Sequence, residues 1–325
     1  MAIEHDKLPP PPGLIASLAR GFDSVATHIL VILPPVLFDL FLWLGPRLDL
    51  KTLRPGLITL LSRQTQGVPA QAAADFYKTV GDYLKGLNLF SALRTFPIGT
   101  SSLLSYRSTT QNPLGGSSTL DAGSLSVALG WVCLLAFLGW MVGSLYFYWV
   151  AGVALKPEAR SLWKAMRQSI VLAILWLGAL IMFGMPAFSM FSFLTLISPG
   201  VGQVLMILVL VVLVWLAMPI FFSPHGIFTF QQDAFPAILS SLRLTRFTLP
   251  STSLFLLVIL IINQGLGFLW NTPARASWWT LVGIGGHAFI STALLAASFV
   301  YYRDANIWLK AVFEQLQKQN ISARA

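Results

Sequence analysis

The run SVALGWVCLLAFLGWMVGSLYFYWVA, residues 126–151, carries no charged residue in 26 positions. A helix rising about 1.5 Å per residue needs about 20 residues to cross a hydrocarbon core near 30 Å thick, so this run is long enough to span a bilayer. Five more apolar runs accompany it, at 26–45, 169–187, 201–222, 252–271 and 279–300. Lipid is therefore the expected solvent of the chain. Composition agrees, because 56% of the 325 residues are hydrophobic, 10% are charged and the mean hydropathy is +0.73. A water-soluble domain of that size needs more polar surface than this chain has. The expected fold class is all-α, a polytopic integral membrane protein with about six transmembrane helices.

The net charge of +9 raises the question of nucleic acid, but the basic residues are not gathered into a patch with interleaved aromatics. They mark sidedness. With six spans, one side holds the N-terminus, the loops near 156–167 and 223–251, and the C-terminus, which carry 12 Lys and Arg; the short connections opposite carry only Arg275. The long segment 46–122 is left out of this comparison, since loops beyond about 60 residues translocate regardless of charge. The positive-inside bias puts both termini in the cytoplasm. Tryptophans 43, 270, 278 and 279 fall at outer span ends and 163 and 308 near inner ends, as rings that favour the headgroup layer should. The first apolar run follows KLPPPP at 7–12 and lacks a small-residue cleavage site, so it reads as a retained span. The single cysteine, Cys133, lies within the second run and can form no intrachain disulfide.

The chain divides into a cytoplasmic N-terminal segment at 1–25, a first span at 26–45, an extracytoplasmic insertion at 46–122, a bundle of five further spans within 123–302, and a cytoplasmic amphipathic helix at 303–325. Three stretches, LIASLARGF at 14–22, LWKAMRQSI at 162–170 and ILSSLRLTRF at 238–247, each set bulky apolar residues, a small residue and arginine ahead of a span. Each reads as an amphipathic helix on the cytoplasmic surface, with Arg20, Arg167, Arg243 and Arg246 toward lipid phosphates. Aligning Ser17, Ala165 and Ser241 suggests three repeated units, the insertion lying inside the first; the alternative is that any Leu-, Ser- and Arg-rich linker aligns with any other. Within the insertion, 50–64 and 69–96 have apolar residues at helical spacing. The stretch 97–124 is rich in Ser, Thr, Gly and Pro and reads as loop. So small a helical unit should pack on the bundle rim or on a partner protein. Whether 188–198 ends the third span or re-enters the membrane is open.

Ionisable and amide side chains inside spans are costly and mark candidate sites. Asp39, Asn263, Gln264 and His287 all fall roughly 10–12 Å below the outer interface at 1.5 Å per residue, so they can form one polar cluster. As a site, this cluster would take a lipid headgroup or a proton, with Asp39 and His287 titrating. As scaffolding, Asp39 would pair with Arg47 or cap a loop while Asn263 and His287 join helices by hydrogen bonds. Pro34, Pro35, Pro186 and Pro219 either kink spans or break them at a site. GIGG at 283–286 follows no strand and precedes no phosphate-binding lysine, so it reads as close helix packing. The four histidines are scattered without metal-ligand spacing, and no GxSxG occurs. No catalytic residue, metal or cofactor is expected, and the chain reads as non-enzymatic.

The last hundred residues carry PIFFSPHGIFTFQQDAFPAILSSLRLTRFTLPSTSLFLLVILII and a final span closing in FVYYRDAN. Over 215–305 this resembles the membrane domain beside some bacterial glycerophosphodiester phosphodiesterases and its uncharacterised inner-membrane relatives. The matching positions are Pro219, Ser241, Leu242, Arg243, Thr245, Arg246, Tyr302, Arg303 and Asp304. The resemblance implies a helical membrane module without the phosphodiesterase barrel, and supplies no catalytic residues. The expected role is a structural module organising membrane lipids or a protein partner, the latter through 46–122. The alternative is a small transporter or lipid-handling protein with its site among the four intramembrane polar residues.

Overall fold

The computed structural model describes residues 11–64, 70–105, 111–156, 160–187, 189–190 and 199–322. It is 79% helical, and its strands are short pairs confined to the insertion, so the all-α class holds. In chain order the helices are α1 Leu14–Thr27, α2 Leu33–Leu44, α3 Arg54–Gln64, α4 Ala70–Gly86, α5 Leu125–Leu155, α6 Leu162–Ala179, α7 Pro199–Ile220, α8 Ser223–Phe230, α9 Ala234–Phe247, α10 Leu249–Trp270 and α11 Thr280–Ser322. A π-helical turn, Leu180–Gly184, carries α6 on to Ala187. The open question over 188–198 falls on 188 and 191–198, outside the described residues.

Among the described residues, four helices are long and apolar enough to cross a membrane: α5, Leu162–Ala187, α10 and α11. The count becomes five if α1 and Ile29–Leu44, bent by 98°, form one broken span. Six were expected, and the first run explains part of the difference. Its 20 residues do not make one helix, because α1 ends at Thr27, a 3-10 turn covers Ile29–Ile32, and α2 begins at Leu33. Pro34 and Pro35 sit in the first turn of α2, where a missing N–H costs no helical hydrogen bond, so they start a helix and kink none. The run 201–222 forms α7.

Helix α11 is the axis of the bundle, with Ala293, Ala296, Ala297 and Phe299 fully buried. Small residues on it let neighbours approach: a Cβ built on Gly21 of α1 would lie 2.5 Å from the Ala297 backbone nitrogen. The GIGG glycines serve similarly, since a Cβ on Gly286 would lie 2.7 Å from the Trp270 indole. At the other end, α11 runs unbroken for 43 residues, about 65 Å at helical rise, so the amphipathic tail prolongs the last span and forms no separate surface helix. The stretch at 162–170 likewise is the first part of a continuous helix, whereas those at 14–22 and 238–247 belong to helices that end before the next element. Ser17, Ala165 and Ser241 are all buried.

The insertion adds strand structure that its composition hid. Strand β1, Arg47–Asp49, pairs in parallel with β4, Thr119–Asp121, so the two ends of the insertion meet. The Thr52 hydroxyl donates to Asp121 across this closure and holds its carboxyl below the usual carboxylate range. The other strands, β2 Gln111–Asn112 and β3 Gly115–Gly116, form an antiparallel pair. Leu48, Leu50 and Leu89 pack with Ala128 and Leu135 of α5, docking the insertion on the N-terminal half of that helix. Trp43 does not face the headgroup layer: it is fully buried, and its indole N–H donates to the Arg275 carbonyl at 2.9 Å.

Candidate polar site in the helical bundle

Part of the stretch expected as surface loop enters the bundle. Ile98 is fully buried, and Thr100, Ser102, Leu103 and Leu104 are nearly so. Gly139 and Gly143, one turn apart on α5, make the space, with a Cβ on Gly143 falling 2.6 Å from the Gly99 Cα. Non-helical backbone at membrane depth must find its hydrogen-bond partners inside the protein. Asp39 of α2 supplies them: its carboxylate accepts from the Ser102 hydroxyl at 2.5 Å, the Leu103 N–H at 2.9 Å and the Leu104 N–H at 3.1 Å. The Ser102 oxygen in turn accepts from the N–H groups of Leu104 and Ser105. Asp39 therefore caps a loop and does not pair with Arg47, whose guanidinium donates to the Gly86 carbonyl.

The other three intramembrane polar residues meet at a cavity of about 240 Å³. Asn263 and Gln264 reach it from α10, His287 from α11, and Arg94, Ser102 and Leu103 from the inserted loop. Asn263 is seven residues from the end of α10 and His287 seven from the start of α11, which puts both about 10 Å from those ends. Asp39 stands behind the wall, bonded to the Ser102 and Leu103 that form it.

What distinguishes the cavity is unused hydrogen-bonding capacity. His287 is 9% exposed, and its Nε2 is buried without a partner. Among the described residues, the Asn263 and Gln264 amides also make no side-chain hydrogen bond to protein. Asn271 differs, donating to the Gly267 carbonyl and accepting from Arg275. Arg94 donates to the Ser105 hydroxyl at 3.2 Å and lies within electrostatic reach of both Asp39 and His287. A cation, two amides and an imidazole thus converge on one space. Such a set binds a polar or anionic group by hydrogen bonds and charge. Among the described residues no three His, Cys, Asp or Glu gather as metal ligands do.

The four arginines expected at lipid phosphates divide. Arg20 instead joins α1 to α11 through Asp304 at 2.6 Å, an acid that Arg303 also pairs with at 2.8 Å. Arg167, Arg243 and Arg246 are exposed, with no ion pair among the described residues.

Arg94 and Ser102 were missed in the sequence, where Arg94 read as part of a helical stretch of the insertion and Ser102 as external loop. Gly139 and Gly143 carried the available signal, because paired small residues on a membrane helix announce close backbone approach. No family model, characterised protein or solved structure matches the chain.

Proposed function

We propose that the chain is a non-enzymatic membrane protein that holds lipid, with the cavity between α10, α11 and the inserted loop as the seat of a polar headgroup. It crosses the bacterial inner membrane six times, counting the bent α1 and α2 pair and α7, and keeps both termini in the cytoplasm, in accord with the positive-inside bias. One observation carries the reading: the His287 Nε2 is buried without a partner at the cavity, and the half-buried Asn263 and exposed Gln264 amides that line it make no side-chain hydrogen bond among the described residues. Leaving an amide or imidazole unbonded in an apolar medium costs several kcal/mol at the order-of-magnitude level, so a polar occupant is favoured there. The resemblance of 215–305 to the phosphodiesterase-associated membrane module belongs to the same proposal.

The test is labelling with a phospholipid carrying a diazirine in its headgroup, in proteoliposomes of the intact protein. Adducts are expected within 263–271 and at 287, and should fall severalfold in the Asn263→Leu, His287→Leu double variant. Labelling elsewhere only, or unchanged labelling in that variant, overturns the proposal.

A second role, partner binding through the insertion, is favoured by Phe76 and Tyr83, which α4 leaves 43% and 71% exposed. Substituting both with serine should release any polypeptide that copurifies with the native protein.

A further inference from the structure

A second feature lies toward the C-terminal end of α5 and shares no lining residue with the headgroup cavity. Two cavities, of about 560 and 520 Å³, are both bordered by the Trp149 indole. The first is lined by His28, Tyr148, Gly152, Lys156 and Arg160 at the basic end of the helix. The second runs between α2 and α5, from Leu33 and Leu37 to Phe41, with Leu93 and Thr100 at its floor. The α5 residues facing them, Gly139, Val142, Leu145, Trp149, Gly152 and Lys156, recur every three or four positions and so form one stripe. From Gly139 to Lys156 the stripe is about 25 Å long, enough for a headgroup and a chain crossing the half-thickness of the hydrocarbon core, about 15 Å.

The chemistry changes along that length. At one end, the Arg160 guanidinium stands over the Tyr148 ring, 4.0 Å from its centroid, and donates to the Tyr148 carbonyl at 2.7 Å. Its charge is held at the cavity mouth, and no acid pairs with it among the described residues. Lys156 caps α5 in the left-handed conformation, φ 46°, with its exposed ammonium outside any ion pair among the described residues. His28 turns its Nδ1 to the Ser24 carbonyl at 3.2 Å. Past Trp149 the walls are almost wholly apolar, and Val142 and Leu37 are 47% and 59% exposed. A cationic mouth opening on an apolar channel at hydrocarbon depth is complementary to a negatively charged amphiphile.

We propose that this groove seats one anionic phospholipid, its phosphate between His28, Lys156 and Arg160 and an acyl chain laid past Trp149 between α2 and α5. A zwitterionic lipid fits the channel equally but lacks the net charge that the mouth favours. An apolar partner helix would fill the channel and leave the two cations without a counter-charge.

The experiment uses the full chain in proteoliposomes with two photoreactive probes, a phosphatidylglycerol and a phosphatidylcholine, each with a diazirine in one acyl chain. Adducts are mapped over 139–156. The glycerol lipid is expected to label 142–149 about 25-fold more than the choline lipid, since each of the two basic side chains near the surface contributes about fivefold. Lys156→Gln, an exposed change that leaves packing intact, should bring the ratio down to about fivefold, the share of Arg160. Val142→Trp, which fills the channel from its exposed side, should reduce labelling by both lipids. Equal labelling by the two probes, absence of labelling, or a ratio unchanged in Lys156→Gln overturns the proposal. Because the mapped peptide excludes 263–287, these outcomes are independent of the outer headgroup seat.

Discussion

The Ser102 hydroxyl donates to the Asp39 carboxylate at 2.5 Å across 63 residues of chain, joining the middle of α2 to a loop of the insertion that enters the bundle. Both residues are buried, Asp39 completely. The bond links two features that look unrelated along the chain: an acid in an apolar helix, and a polar loop whose backbone must be satisfied away from water. Each removes the other's desolvation problem. The same loop carries Arg94, Ser102 and Leu103 to the cavity wall, so the cap on α2 also shapes the candidate headgroup seat.

Replacing Asp39 with leucine leaves the Ser102 hydroxyl and the Leu103 and Leu104 N–H groups without their acceptor. Removing one member of a buried charged network costs about 3–5 kcal/mol. Asp39→Asn, which keeps one carbonyl acceptor, should cost about 1–3 kcal/mol. Reversible unfolding in mixed micelles reads both losses, and hydrogen exchange over 101–105 should accelerate in the same order.

Gly21→Ala should separate α1 from α11, because the new methyl would lie 2.5 Å from the Ala297 backbone, which cannot rotate aside. Overpacking of this kind costs about 1–3 kcal/mol. Gly178→Ala is the control: it also lies mid-helix, nothing stands within 4 Å of its Cβ, and it should stabilise the helix by up to about 1 kcal/mol. Thermal unfolding of the two variants should therefore shift in opposite directions.

The helical class and most span-length helices were legible because apolar run length reports directly on the surrounding solvent. The break at His28 was less so, since hydropathy runs on through the turn at Ile29–Ile32 and only Pro34 and Pro35 hint at a new start. Asn263, Gln264 and His287 were found because polar groups in apolar helices are conspicuous, and equal depth along separate helices puts side chains at one level. The inserted loop was illegible for a physical reason: SSLLS at 101–105 has the composition of a solvated turn, and its burial depends on Asp39 more than sixty residues earlier. The Arg20 pairing with Asp304 was hidden in the same way, by 284 residues of intervening chain.

His225 lies between spans in α8, its Nε2 bonded to the Ser298 hydroxyl at 2.7 Å and its ring enclosed by Phe222, Phe299 and Tyr302. Burial pushes the imidazole down to about 3 from 6.5, so it is neutral in the folded protein at every ordinary pH. The unfolded chain binds a proton there below pH 6.5 while the folded chain does not until about pH 3. Stability is therefore full above 6.5 and falls as pH drops through that window, by up to about 1.4 kcal/mol per pH unit for this one group. Unfolding of wild type and His225→Gln at pH 7 and pH 5 should show the wild type losing about 2 kcal/mol more on acidification, with other titrating groups cancelling in the comparison.

Helices α3 and α4 pack against each other, while the docking of the insertion rests on Leu48, Leu50, Leu89 and Ala122 around them. The β1–β4 pair and the Thr52–Asp121 bond close the base below the helical hairpin. Replacing 56–84 with a flexible Gly/Ser linker should thus leave the base, the inserted loop and the bundle intact, and preserve detergent-solubilised monodispersity and thermal stability close to that of the full chain. Extending the deletion to 105 removes Ser102, Leu103 and Leu104, leaves the Asp39 carboxylate buried without donors, and opens the space between Gly139 and Gly143. That larger deletion should lower stability by at least as much as Asp39→Leu, about 3–5 kcal/mol, because it strips the same network from its other side. If both deletions are equally stable, the loop contributes nothing to the bundle and the role assigned to Asp39 fails. If only the shorter one is stable, it becomes the right background for asking whether α3 and α4 recruit a partner.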